Sequence, residues 1–271
     1  MTGADAPGGQ PRREVLLPGG TSNRGLVVRI GDAVHRPQTE GSAAVHDLLL
    51  HLETVGFEGA PRYLGQDEQG REILSYIDGE AAIAPHPAWS FEDDVLVSVA
   101  RLLRRYHAAV RGFIGAGRHW ASSVPAGYRG HLVSHNDPNL DNIVFRDGEA
   151  VALLDFDLAS PGSALWDVAV AARLWVPLRD PSDVHDCRTS RMGERLRLFA
   201  DAYGLAPQDR ARLPVAVVET HAWCYDIVLL RHRAIRSREG PSRLHRFPDN
   251  RGGELRRPRQ SLARVPPVIP R

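Results

Sequence analysis

The sequence predicts an α+β protein with two lobes, and three observations support this prediction. Short runs of β-branched and aliphatic residues, separated by glycine turns, fill most of the first 80 residues. Longer segments with apolar residues three and four positions apart dominate the sequence after residue 90. With 271 residues, the chain is long enough to form two lobes. We therefore expect a small antiparallel β N-lobe and a mainly helical C-lobe.

The predicted N-lobe, residues 14–78, is a meander of short strands interrupted by one helix. The helix is expected over residues 42–55, where apolar residues recur at helical spacing. The first turn contains Gly19 and Gly20, which would let backbone N–H groups approach phosphate oxygens. An ordinary glycine hairpin turn is the alternative interpretation. The expected strands cover residues 15–17, 26–30, 33–36, 60–65 and 71–77.

The predicted C-lobe, residues 79–233, contains helices and one hairpin. The hairpin strands, residues 143–145 and 151–154, are joined by the turn residues Asp147 and Gly148. Apolar residues at helical spacing predict helices over residues 91–113, 164–178, 191–203 and 213–233.

Both ends of the chain differ in composition from the two lobes. Residues 1–13 are small, polar and rich in Gly and Pro, so we expect a disordered arm. Residues 231–271 contain twelve Arg and three acids, a net charge of +9. The whole chain carries +1, so the first 230 residues carry −8. We expect residues 234–271 to be a disordered tail, which could bind an anionic partner by charge alone.

The composition favours a cytoplasmic protein and constrains its chemistry. No run of 18 apolar residues is present, and the N-terminus has no apolar signal segment. Cys187 and Cys224 are far apart in sequence, so we expect them to be reduced thiols. The chain contains no lysine, and any side-chain cation that anchors a phosphate is therefore expected to be an arginine.

Residues 131–160 contain most of the polar groups with a recognisable spacing. His135, Asp137 and Asn142 form an HxDxxxxN pattern, and Asp155 follows thirteen residues after Asn142 at the end of the hairpin. Folding of the hairpin brings these groups toward one another, and oxygen ligands without a nearby Cys suit Mg²⁺. Phosphoryl transfer needs a carboxylate that orients the attacking hydroxyl and oxygen ligands that hold Mg²⁺ on the nucleotide phosphates. Each residue taken singly could instead be a turn or cap residue.

With HNDPNLDN at 135–142 and LLDFD at 153–157, the chain resembles the aminoglycoside phosphotransferase family, which has a protein-kinase-like fold. The resemblance implies that Asp137 is the catalytic base and that Asn142 and Asp155 bind Mg²⁺. It also implies that Asp157 makes an additional polar contact and that Asp167 stabilises the catalytic loop.

The resemblance also implies a nucleotide site in the N-lobe, for ATP or GTP. Gly19 and Gly20 would cover the phosphates, and Arg36 matches the basic strand residue that binds them, with Arg29 as the alternative. Backbone groups of Ser75, Tyr76 and Ile77 would contact the base. In kinases, an acid on the following helix pairs with the phosphate-binding cation; Asp47 and His46 lie there, and the role stays unassigned.

The expected reaction is transfer of the γ-phosphate to a hydroxyl group of a small molecule. The acidic body of the chain suits a cationic acceptor, such as an aminoglycoside or another amino-alcohol. We expect a monomer or weak dimer with no membrane partner and no nucleic acid partner. Acids that could face the acceptor, without an assigned position, are Asp180, Asp183, Asp186, Glu219 and Asp226.

Two alternatives stay open at the level of sequence. The first is a catalytically silent binding protein on the same fold, because an arginine stands where the family has a lysine. The second is an iron site built from His135, Asp137 and a distant histidine, either His185 or His221. The iron site leaves Asn142 and Asp155 without a role.

Overall fold

The computed structural model describes residues 13–18, 25–178, 184 and 186–239. Within these residues, the chain forms an antiparallel N-lobe sheet followed by a mainly helical C-lobe, which confirms the predicted fold class. The predicted arm (apart from residue 13), both loop glycines, and the tail beyond residue 239 lie outside the described residues.

The N-lobe sheet has five strands in the order β1-β2-β3-β5-β4, and every neighbouring pair is antiparallel. Helix α1 (Ser42–Thr54) connects β3 to β4 and buries Leu48, Leu49 and Leu52 in the core. Because β3 pairs with β5, the last residue of β3 lies opposite the first residue of β5. The strands are β1 (Glu14–Leu16), β2 (Val28–Ile30), β3 (Ala33–Arg36), β4 (Tyr63–Gln66) and β5 (Glu72–Ser75).

The C-lobe surrounds a helix that is buried on nearly all sides. This helix, α3, consists largely of Ala, Val, Leu and Trp residues, and nine of its twelve residues are buried. Such a composition suits a helix enclosed by other elements. The lobe's helices are α2 (Asp93–Ala109), α3 (Ala164–Trp175), α4 (Met192–Tyr203) and α5 (Pro207–Glu239).

Two small sheets in the C-lobe carry the polar loops. Strands β6, β8 and β9 form one antiparallel sheet, and β7 pairs with β10 in the other. Asp147 and Gly148 both have positive φ angles, 50° and 79°, as the predicted Asp-Gly hairpin turn requires. The strands are β6 (Glu80–Ala81), β7 (Leu132–Ser134), β8 (Ile143–Arg146), β9 (Glu149–Leu153) and β10 (Ser160–Gly162).

The predicted boundaries differ most from the structure at α5. This helix begins at Pro207 and continues through Glu239, whereas the sequence predicts 213–233 with a disordered tail from 234. A proline suits the first helical position, because its missing N–H would have no partner there. Residues 234–239 contain no Gly or Pro, and nothing in their composition ends the helix. In the described part of the chain, no helix is both long and apolar enough to span a bilayer.

Candidate active site

The loop that carries the HxDxxxxN pattern begins directly after β7 with a fully buried histidine. The His135 Nε2–H donates to the carbonyl of Leu154 at 2.9 Å, and its Nδ1 accepts from the N–H of Asp137 at 3.2 Å. Burial lowers the pKa of His135, which is consistent with a neutral ring. Both nitrogens are therefore engaged within the protein, and His135 is a structural residue rather than an iron ligand.

The other ligands of the hypothetical iron site do not assemble either. The Nε2 of His221 lies 2.8 Å from the Leu178 carbonyl, and His185 lies outside the described residues. No three His, Cys, Asp or Glu side chains form a metal-binding group in the part of the chain that the structure describes. The described geometry gives the iron interpretation no support.

Asp167 on α3 holds the start of the loop, as the family resemblance implies. Its carboxylate is fully buried and accepts from the N–H groups of His135 and Asn136, at 2.7 and 2.8 Å. The Nε2 of His107 donates to the same carboxylate at 2.9 Å. Burial would raise the pKa of Asp167, but the hydrogen bond from His107 and the neighbouring groups keep it below the ordinary value.

Two further contacts fix the path of the loop. Asn136 has a left-handed backbone, with φ of 66°, and its amide donates to Leu158 O and Ser160 Oγ at 2.8 and 2.9 Å. The indole N–H of Trp175 donates to the carbonyl of Pro138 at 2.9 Å. The loop is thus positioned by side chains from α3 and from the segment around β10.

Asp137 and Asn142 lie together at the loop surface. The Asn142 amide nitrogen donates to the Asp137 carbonyl at 2.9 Å and to its Oδ2 at 3.3 Å. Asn139 donates to the other carboxylate oxygen at 2.5 Å. The amide nitrogen of Asn142 is thereby committed to Asp137, which leaves its amide oxygen as the atom that could bind a cation.

Asp155 follows the hairpin in a strained conformation. Its φ and ψ are 56° and 73°, in the left-handed region that non-glycine residues rarely adopt. Such strain persists where the surrounding structure fixes the backbone, and it is common at functional sites. The side chain is 35% exposed, and its Oδ1 accepts from Arg36 Nη1 at 3.2 Å. Asp155 therefore faces the N-lobe cation while remaining accessible.

Arg36 is the cation at the centre of the site. Its Nε donates to Glu72 at 2.6 Å, and its two terminal nitrogens donate to Asp155 and Asp157 at 3.2 and 2.8 Å. Burial would lower the pKa of Arg36, but these three carboxylates raise it above the ordinary value. Arg29, the alternative, stacks on the Tyr76 ring at 3.6 Å instead.

Asp157 shows that negative charge is in excess around Arg36. Burial and the nearby charge of Asp155 raise the pKa of Asp157 to about 6, against the opposing effect of Arg36. Three carboxylates surround one guanidinium group, so the cluster carries more negative than positive charge. The arrangement would favour an additional cation nearby.

The structure supplies the acid that sequence reasoning left unassigned, and it lies on a strand. Glu72, the first residue of β5, is fully buried and binds both Arg36 and His46 of α1. Asp47 points outward and pairs with Arg118. The sequence contains one sign of a buried acid here, since Glu72 begins the strand EILS and is followed by apolar residues. Its partner could not be predicted, because the pairing of Glu72 with Arg36 depends on the order of the strands in the sheet.

A cavity between the lobes brings most of the predicted nucleotide residues together. Ser75 and Tyr76 line it, but their N–H groups donate to Arg62 O and Asp32 O, whereas the N–H of Ile77 donates to no described residue. The loop with Gly19 and Gly20 lies outside the described residues. The polar residues of the lining are Arg36, Ser75, Tyr76, Asp141, Asn142 and Asp155.

The described acids considered for the acceptor, Asp186, Glu219 and Asp226, are not among the residues that line the inter-lobe cavity. Asp186 pairs with Arg188 at 2.7 Å, and Glu219 lines a shallow surface pocket beside Tyr128. Asp180 and Asp183 lie outside the described residues.

Sequence comparisons identify the family of this chain. Residues 117–213 match the model of the phosphotransferase enzyme family. A trifolitoxin immunity protein of Rhizobium leguminosarum bv. trifolii is 35% identical over 211 residues, which cover 73% of this chain and 76% of the relative. The chain belongs to the phosphotransferase enzyme family.

Solved structures with the same fold include aminoglycoside phosphotransferases. APH(2″)-IIa, in a complex with gentamicin, has a TM-score of 0.57 at 14% identity and covers 83% of this chain and 87% of its own. A choline/ethanolamine kinase family protein from Mesorhizobium loti has a TM-score of 0.56 at 17% identity, with 85% and 82% covered. ADP-bound APH(2″)-Ib has a TM-score of 0.55 at 14% identity, with 86% and 89% covered. These neighbours confirm the protein-kinase-like fold.

Proposed function

We propose that this member of the phosphotransferase family transfers the γ-phosphate of ATP or GTP to a hydroxyl group of a small molecule. One observation carries the proposal: Arg36, Asn142, Asp155 and Ile77 line the same inter-lobe cavity. A phosphate-binding cation, oxygen ligands and a base-contacting backbone are the parts that phosphoryl transfer needs.

Each residue has a role in this proposal. Asp137 accepts the proton of the acceptor hydroxyl and orients it for attack. Arg36 contacts the nucleotide phosphates, and Gly19 and Gly20, which lie outside the described residues, are the further residues that we assign to phosphate binding. Ser75, Tyr76 and Ile77 border the base, and the N–H of Ile77 is its hydrogen-bond donor.

The donor set fits Mg²⁺. Asn142 can offer an amide oxygen and Asp155 a carboxylate oxygen, the ligand types that Mg²⁺ prefers. Mg²⁺ sites on nucleotides typically use one or two protein groups together with phosphate oxygens. The ion would neutralise phosphate charge, and the negative excess around Arg36 favours its binding.

Aminoglycosides and other amino-alcohols are the proposed acceptors. The first 230 residues carry a net charge of −8, which attracts cationic compounds. One structural neighbour was solved with gentamicin, and the curated relative is named for immunity to a toxin. We place the reaction in the cytoplasm, carried out by a monomer or weak dimer, with no membrane or nucleic acid partner.

A silent binding protein is the second candidate. All three donor-bearing nitrogens of Arg36 are engaged by carboxylates, so a phosphate must compete for them. A relative named as an immunity protein could act by binding its toxin without modifying it.

The test is phosphate transfer from Mg-ATP and Mg-GTP to a panel of aminoglycosides and amino-alcohols, followed by mass spectrometry. We expect one acceptor class to be phosphorylated by the wild type. Asp137→Asn should lower turnover about 100-fold or more and retain nucleotide binding. Undiminished turnover in this variant would refute the role of Asp137. Nucleotide binding without transfer to any panel member would favour the silent protein.

A further inference from the structure

Three buried side chains, those of Arg36, Glu72 and His46, are hydrogen-bonded in a row behind the cavity. Glu72 is fully buried and places one carboxylate oxygen 2.6 Å from Arg36 Nε and the other 2.5 Å from His46 Nε2. The His46 ring stacks on Tyr63, with the ring centroids 3.8 Å apart and the planes 13° apart. Each of these side chains contacts a residue of another strand or helix, so their rotamers are restricted.

The strand pairing explains why Glu72 can reach Arg36. The two residues are directly opposite in the antiparallel β3–β5 pair, which places their side chains on the same face. Glu72 takes the Nε edge of the guanidinium group, and the two terminal nitrogens are left to face Asp155 and Asp157. The carboxylate of Glu72 therefore sets the plane in which Arg36 meets the cavity.

This arrangement differs from the ion pair used by protein kinases. There, a lysine on the third strand pairs with a glutamate on the following helix. Here the cation is an arginine, the helix supplies His46, and the acid comes from β5. A planar guanidinium group has several donor edges and needs its plane fixed, whereas a lysine ammonium is a compact point charge.

We propose that Glu72, braced by His46, is the positioning residue for Arg36 and takes over the role of the helix glutamate. The proposal rests on the nucleotide site proposed above. Glu72 balances part of the Arg36 charge and thereby weakens the hold of Arg36 on Asp155, the proposed Mg²⁺ ligand. Without the Glu72 charge, Arg36 binds Asp155 and Asp157 more strongly and competes with Mg²⁺.

The turn between β4 and β5 of the same lobe offers a matched control. Asp67 accepts from Arg71 Nε at 2.6 Å and from His35 Nδ1 at 2.8 Å, which again joins an arginine, an acid and a histidine. None of these three residues lines the cavity. A loss that arises merely from breaking such a triad in the N-lobe would appear in Asp67→Asn as well.

The experiment is calorimetric titration with ATP and GTP at several Mg²⁺ concentrations, using wild type, Glu72→Gln and Asp67→Asn. We expect Glu72→Gln to weaken binding of the Mg-nucleotide about 10- to 100-fold, as loss of supporting groups around metal sites does. Raising the Mg²⁺ concentration should recover part of that loss. Asp67→Asn should bind within about twofold of the wild type, a difference well below the tenfold that corresponds to 1.4 kcal/mol.

Each result decides the proposal. Wild-type affinity in Glu72→Gln, or an equal loss in Asp67→Asn, would overturn it while leaving the proposed function intact. Absence of nucleotide binding in the wild type would overturn both. If Glu72→Gln does not fold, His46→Gln takes its place, because it keeps the acid and removes only its support; a smaller loss with the same Mg²⁺ recovery is then expected, and unchanged binding would refute the proposal.

Discussion

The two halves of the site are stabilised in opposite ways. In the loop that follows β7, the buried Asp167 charge is balanced by two backbone N–H groups and by His107. Around Arg36, one guanidinium group faces Glu72, Asp155 and Asp157, and burial raises the pKa of Asp157 to about 6. The Asp167 charge is matched by three hydrogen-bond donors, whereas the Arg36 cluster carries excess negative charge.

The geometry around Asp167 is fixed by folding alone, whereas the charge of the Arg36 cluster is balanced only when a ligand binds. The hydrogen bonds to Asp167 fix the start of the loop in the folded protein, since each of the three buried donors has this carboxylate as its acceptor. A cluster with excess negative charge gains stability when a cation binds. Changes in the loop should therefore reduce the stability of the protein itself, and changes in the cluster should mainly alter its response to pH, Mg²⁺ and nucleotide.

The largest effect is expected for Asp167→Ala. The change leaves His107 and two buried N–H groups without their acceptor, so the free energy of unfolding should fall by about 3–5 kcal/mol. Urea denaturation measures the loss. Asp167→Asn keeps an acceptor and should lose less; equal losses would mean that the charge of Asp167 contributes nothing.

A pH-dependent effect is expected for Asp157→Asn in metal-free protein. The raised pKa means that Asp157 contributes stability below about pH 4, which is lost as pH rises through about 6. The free energy of unfolding of Asp157→Asn, relative to that of the wild type, should therefore increase by roughly 2–3 kcal/mol between pH 4 and pH 7.5. Urea denaturation of both proteins across this range gives the difference. If the difference in unfolding free energy between the two proteins does not change with pH, the pKa of Asp157 is not raised in the folded protein.

The smallest effect is expected for Tyr106→Phe on the loop side. The buried Tyr106 hydroxyl donates to the carbonyl of Val133 at 3.0 Å, just before the loop that follows β7. Losing this bond should cost about 1 kcal/mol of unfolding free energy. The same denaturation assay detects it, and nucleotide affinity should stay unchanged. If Tyr106→Phe changes nucleotide affinity without lowering the free energy of unfolding, the two halves of the site do not differ in the way described above.

The sequence predicted the loop side of the site better than the cation side. Asp137, Asn142 and Asp155 lie within nineteen residues and are joined by one hairpin, so local spacing brings them together. The Asp147-Gly148 turn could be predicted for the same reason, because its conformation depends on those two residues.

Glu72 could not be assigned from spacing alone. It meets Arg36 across 36 positions of sequence, through a strand order in which β5 inserts between β3 and β4. The family pattern predicts that the acid lies on α1. In the structure, α1 instead supplies His46, which binds Glu72. The short strands β6, β7 and β10 were missed because two or three residues carry too little periodicity.

Thermal melting with and without Mg-ATP and Mg-GTP tests the central claim most directly. A ligand that binds only the folded state at 100 times its Kd adds about 2.7 kcal/mol, or roughly 5–10 °C in Tm. We predict a shift of this size that requires Mg²⁺ and that Asp155→Asn strongly reduces. No shift with either nucleotide would contradict the account, and so would an equal shift in Asp155→Asn.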